Sequence, residues 1–148
     1  MTCGSCQGVF VPRLKTLSLR TLLTSRDHLP LRPDDRVEHL LERFRVTFHA
    51  GRVSKGWCQL QRGNLVLWLL NGTLHSVELT RSAGHEPSDV VDWCGFSMHD
   101  GDPLAWCHEH DIDLSLDREE NGTQLWSTPS GARIALQDGR LWNITLVL

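Results

Sequence analysis

Between His99 and Asp111 the chain crowds residue types that bind metals or move protons: His99, Asp100, Asp102, Cys107, His108, Glu109, His110 and Asp111. Zinc needs three or four such side chains converging on a tetrahedron. A helix turns neighbouring residues about 100° apart, so His108 and His110 diverge and the ligand set does not close. His99, Asp100 and Asp102 are too few for a calcium loop. Cys3-Gly4-Ser5-Cys6 is a single C-x-x-C at the terminus, without the second pair of a structural zinc site or the strand and helix that flank a redox motif. Cys94 or Cys107 with His99 or His108 would make nucleophile–base pairs, but catalysis also needs an oxyanion site and an orienting third group. The sequence has no Gly-x-Ser-x-Gly, Gly-rich phosphate loop or paired-carboxylate motif. The reading is non-enzymatic, with no metal and no cofactor.

Tryptophan offers a different chemistry, that of desolvated anchors in recognition. If Leu65, Leu67 and Leu69 face a core, then Val66, Trp68 and Leu70 point the other way, with Trp57, Gln59 and Gln61 beside them on the preceding strand. The corresponding residues later in the chain are Gln124 and Trp126, next to Arg133, Ala135 and Gln137. Three tryptophans among glutamines have the composition of a recognition surface. The alternative is that the sheets join or curl, so that these rings pack on one another or under residues 1–30.

Charge is lopsided about a net −3. Residues 1–80 carry 11 Lys+Arg against 6 Asp+Glu, whereas residues 81–148 carry 4 against 12. Asp100, Asp111, Asp113, Asp117, Glu119 and Glu120 concentrate the excess, a field that repels nucleic acid and attracts a basic protein surface. A solvated acidic face that favours solubility is the plainer alternative.

The elements that must position these residues recur at an offset of 67 residues. Asp35 falls on Asp102, Glu42 on Glu109, Leu69 on Leu136, Gly72 on Gly139, Leu74 on Leu141 and Leu79 on Leu146. Such internal matches point to repeated architecture. Asp35 is placed to cap a helix over 36–44, with Glu38 completing a capping box and Val37, Leu40, Leu41 and Phe44 forming one apolar stripe. Asp102 and Pro103 open a second, shorter helix with the stripe Leu104, Cys107, His108 and Asp111. Strands are expected near 45–49, 56–61, 64–70 and 73–80, and again near 112–117, 123–128, 131–137 and 140–147. Asn71-Gly72, Asn121-Gly122 and Asp138-Gly139 are hairpin dipeptides. Period-2 alternation puts His75, Val77 and Leu79, with Trp142, Ile144 and Leu146, on the covered face. Val46 and Phe48 sit one register off from Ile112, Leu114 and Leu116, which predicts a slip or bulge in the first strand of a unit.

The fold expected is α+β, two tandem α-β-β-β-β units with antiparallel meander sheets and helices on one face. This topology over residues 35–148 resembles the beta-lactamase inhibitor protein family, and small repeated domains among bacterial immunity proteins. The resemblance implies a non-enzymatic protein that binds another protein through its sheet, typically to block an active site. The units divide as 1–30 (an extension with a short helix at 17–26), 31–80, 81–97 (a linker with a turn at 89–93) and 98–148, in one compact domain. Five cysteines at irregular spacing suit a reduced interior. No stretch reads as a signal peptide or membrane span, so a cytoplasmic location is expected. The runner-up is a small-molecule binder or enzyme with a pocket between the units, His75 or His108 at its rim.

Overall fold

The computed structural model describes residues 16–81 and 86–148. Cys3 and Cys6, and with them the first half of the 1–30 extension, lie outside the described residues. The fold is α+β, and among the described residues it is dominated by one eight-stranded antiparallel sheet with three short α-helices. A two-residue strand β1 (Leu17–Ser18) leads into α1 (Leu19–Thr24), then α2 (Val37–Phe44) and a four-strand meander: β2 (His49–Ser54), β3 (Trp57–Arg62), β4 (Leu65–Leu70) and β5 (Thr73–Thr80). After β6 (Val91–Asp92) and α3 (Pro103–Glu109) comes a second meander: β7 (Ser115–Glu120), β8 (Thr123–Ser127), β9 (Arg133–Gln137) and β10 (Arg140–Val147). The meanders fuse where β5 pairs with β10, giving the order β2-β3-β4-β5-β10-β9-β8-β7. Strands β1 and β6 form a separate parallel pair. Residues 89–93, expected as a turn, therefore include a strand, held because Val90 and Val91 are buried and Leu17 donates to the Val90 carbonyl at 2.8 Å.

Two-residue turns set the register. Asn71-Gly72, Asn121-Gly122 and Asp138-Gly139 all take positive φ at both residues, the twist that matches paired strands. Gly63 has two reasons to lack a side chain. Its φ is +60°, and a Cβ there would come within 2.6 Å of the Glu86 carbonyl oxygen.

All three helices cover one face. Leu19, Leu22 and Leu23 of α1, Leu40 and Phe44 of α2, and Trp106 and Cys107 of α3 join Leu65, Leu67, Leu69, Val77, Leu79, Ile134, Ile144 and Leu146 in one core. Two expectations for the helices are corrected. Helix α2 begins one residue later than expected, and Asp35 does not cap it. Asp35 is buried, receives the Arg32 amide at 2.8 Å, and holds Arg43 bidentately at 2.6 and 2.8 Å. His39 Nδ1, rather than Glu38, accepts from the Arg36 amide at 3.0 Å. In α3 the buried stripe is Pro103, Trp106 and Cys107, while His108 and Asp111 are exposed. Asp102 does cap this helix, accepting from the Leu104 and Ala105 amides.

The first strand of each meander starts three or four residues later than expected, because Val46, Phe48, Ile112 and Leu114 are spent packing the lead-in segments against the core. The bulges in these edge pairs fall at Val53 and Asp117.

Candidate functional site

The face of the sheet turned away from the helices is the candidate site, and cross-strand pairing fixes what it displays. Residues directly opposite on paired strands share a face. Trp57 pairs with Leu70, Gln59 with Trp68 and Gln61 with Val66, and Trp68 and Val66 pair onward with Ser76 and Glu78. Trp57, Gln59, Val66, Trp68 and Leu70 therefore lie together on the outer face, as the alternation predicts. They are not an open row of rings. Trp57 meets Trp68 edge-on at 6.3 Å and His75 edge-on at 4.9 Å, so both indoles are half-buried, and Val66 is buried.

Glu78 marks the midline. One carboxylate oxygen accepts from Trp68 Nε1 at 3.0 Å and the other from Asn143 Nδ2 at 3.0 Å, tying the first meander to the second. Beyond it the face continues through Asn143 and Thr145 on β10, Arg133, Ala135 and Gln137 on β9, and Thr123, Leu125 and Ser127 on β8.

Trp126 does not belong to this face, which corrects the sequence expectation. It pairs with Ile134, a core residue, and packs half-buried under the helices with its Nε1 donating to Gln124 Oε1 at 3.1 Å. The cause is a one-residue slip. β3 and β4 join through two residues, with Arg62 opposite Leu65, whereas β8 and β9 join through five, with Ser127 opposite Arg133. Ser130 pins that longer loop to the end of α1, its Oγ donating to the Leu22 carbonyl at 2.6 Å and its amide to the Leu23 carbonyl. A slip of one inverts the strand.

His75 and Trp142 are likewise moved. Each is the extra residue of a bulge, opposite the Trp68/Leu69 step and the Ala135/Leu136 step respectively. Both leave the covered face: His75 packs on Trp57, and Trp142 stands 60% exposed beside Thr123, Ala135 and Gln137 around a cavity of about 270 Å³. Sequence reasoning missed Trp142. Leu74 and Val77, like Leu141 and Ile144, are buried three apart, which an unbroken strand cannot achieve, but that burial is visible only in the fold.

The acidic residues do not converge on one patch. Asp111 and Asp113 are exposed in the lead-in to β7, whose residues are exposed throughout. On β7 itself, Asp117 accepts from Ser127 Oγ and sits 3.8 Å from Arg133, Glu119 accepts from Gln124 Nε2 at 2.5 Å, and Glu120 lies 3.5 Å from Arg118. Asp100 is elsewhere, around a cavity at the junction of the meanders with Arg81, His99, Asp102 and Arg140. That cavity includes neither His75 nor His108, and the halves meet there as paired strands.

Two of the groups that could perform chemistry, Cys107 and His110, are otherwise engaged, whereas His99 and His108 are exposed. Burial pushes the Cys107 thiol up to about 11, so it is protonated at neutral pH and inert as a nucleophile. His110 stacks on Trp106 at 4.1 Å, and its Nδ1 lies 2.9 Å from the Trp106 carbonyl oxygen. Among the described residues, no three His, Cys, Asp or Glu side chains come together in a geometry that could hold a metal ion. Among them, too, no helix is long and apolar enough to cross a membrane. Comparison with protein-family models, curated proteins and solved structures finds no match to this chain.

Proposed function

We propose that this chain is a non-enzymatic protein-binding module that engages its partner through the sheet face opposite the helices. The observation that carries the reading is that one face of an eight-stranded sheet, uncovered by any described helix, bears Trp57, Trp68, His75, Leu70 and Trp142 around the polar midline of Glu78 and Asn143. Half-buried aromatics supply contact area at low entropic cost, and glutamine, asparagine and threonine beside them offer hydrogen bonds for register. The edge strand β7 is net negative, with Asp117, Glu119 and Glu120 against Arg118, and this edge rather than the face itself would steer a basic partner surface, as an inhibitor or immunity protein would use against a cationic cleft. Among the described residues Cys58, Cys94 and Cys107 form no disulfide, and the reading places the protein in a reducing compartment such as the cytoplasm.

Site-specific photo-crosslinking in extracts of the source cells tests the reading. A crosslinker replacing Thr145, at the centre of the face, should give one discrete protein adduct whose yield falls with added salt. The same group replacing Glu42, exposed on α2, should give none. Equal labelling from both positions, or no adduct from Thr145, would remove the proposal.

A further inference from the structure

The two meanders present the same frame on the outer face with different fillings. Pairing registers match Trp57 to Thr123, Trp68 to Ala135, Leu70 to Gln137 and the bulged His75 to Trp142. In the first meander two indoles and an imidazole interlock, with ring centroids 6.3 and 4.9 Å apart. In the second, both indole positions are reduced to a hydroxyl and a methyl, and the space they leave is the cavity of about 270 Å³ walled by Trp142. About 150 Å³ of apolar cavity suffices for a benzene ring. Thr123 Oγ1 is not free to fill the gap, because it donates to Gln137 Oε1 at 2.6 Å.

We infer that the Trp142 cavity is the receptor for one aromatic side chain of the partner protein, seated as Trp57 and Trp68 are seated in the first meander. The inference rests on the protein-binding reading and specifies its anchor. The chemistry follows from the frame. The lining is Trp142, Ala135, Leu136 and Gln137, with Thr123. An aromatic ring entering edge-on gains the T-shaped geometry already used at Trp57 and Trp68. A charged side chain would find no counter-ion among the cavity-lining residues.

The test is a titration of the full chain, labelled with 5-fluorotryptophan, with N-acetyl-tryptophanamide, followed by fluorine NMR. The Trp142 resonance, assigned through Trp142→Phe, should shift saturably with a millimolar dissociation constant. The Trp57 and Trp68 resonances should shift less. Ala135→Trp rebuilds the filled arrangement and should abolish the shift. Thr123→Trp serves as the independent filling variant if Ala135→Trp does not fold. Trp68→Ala should open a second site in the first meander. No saturable shift at Trp142, equal shifts at every tryptophan, or undiminished binding in a folded filled variant would overturn the inference. The amide needs no partner protein, so its failure sinks the cavity alone, whereas failure of the crosslink with retained amide binding sinks the partner reading.

Discussion

The first meander packs its outer face against itself, while the second leaves its own unfilled. Both are four antiparallel strands behind a short helix, both bulge in the last hairpin, and the bulged residues His75 and Trp142 lie 67 positions apart. What differs is the filling: Trp57 and Trp68 on one side, Thr123 and Ala135 on the other. The backbone frame therefore does not decide whether a sheet face is closed or available. Two side chains decide it. The helix ends show the same lesson, because Asp35 and Asp102 align in sequence yet do different work. Asp35 is 4% exposed and grips Arg43, whereas Asp102 is exposed and caps α3.

The largest effect should come from that first contrast of helix anchors. Asp35→Ala strands the Arg43 guanidinium and the Arg32 amide, and should cost about 3 kcal/mol in urea unfolding at neutral pH. Asp102→Ala removes a cap and should cost about 1 kcal/mol. Near-equal losses would show that the two ends are anchored alike. The pH dependence sharpens the contrast. Burial pushes the Asp35 carboxyl up, but the hydrogen bonds from Arg43 and the Arg32 amide, with the Arg43 charge, outweigh it and hold the group below its ordinary value. A carboxyl depressed on folding stabilises fully above its unfolded value, near pH 4, and progressively less as pH falls through the folded one. The penalty of Asp35→Asn should therefore shrink below about pH 4. A constant penalty there would break the ion-pair account.

On the outer face, Trp68→Ala removes an interlocked ring and the donor to Glu78, and should cost about 2 kcal/mol. Trp142→Ala, at the corresponding frame, should stay within about 0.5 kcal/mol. If Trp142→Ala unfolds the chain as readily as Trp68→Ala, the second meander is packed like the first and the proposed receptor is lost. Like Trp68→Ala, Trp126→Ala should destabilise by about 2 kcal/mol, but without changing partner crosslinking from Thr145, since its ring lies on the core side of the sheet.

Much of this architecture is legible in the residues. The dipeptides Asn71-Gly72, Asn121-Gly122 and Asp138-Gly139 announce three hairpins, and the alternation of Leu65, Leu67 and Leu69 places Trp57 and Trp68 on the opposite face. What escapes is register. The five-residue connection at 128–132 is set by a tertiary contact between Ser130 and α1, which no local pattern encodes, and it turns Trp126 inward. Bulges at His75 and Trp142 hide for a related reason. A bulge swaps one residue's face without changing composition, so strict alternation assigns Trp142 to the core and overlooks the most exposed tryptophan. Asp35 escapes because a carboxylate just ahead of a helix reads as a cap, and only the fold brings Arg43 alongside.

The difference between the two halves is most directly measured by the solvent paramagnetic relaxation of the six tryptophans in the 5-fluorotryptophan-labelled chain. A soluble gadolinium chelate should relax the Trp142 resonance most, Trp57 and Trp68 to an intermediate degree, and the buried Trp106 least. A Trp142 resonance as protected as that of Trp106 would contradict the account.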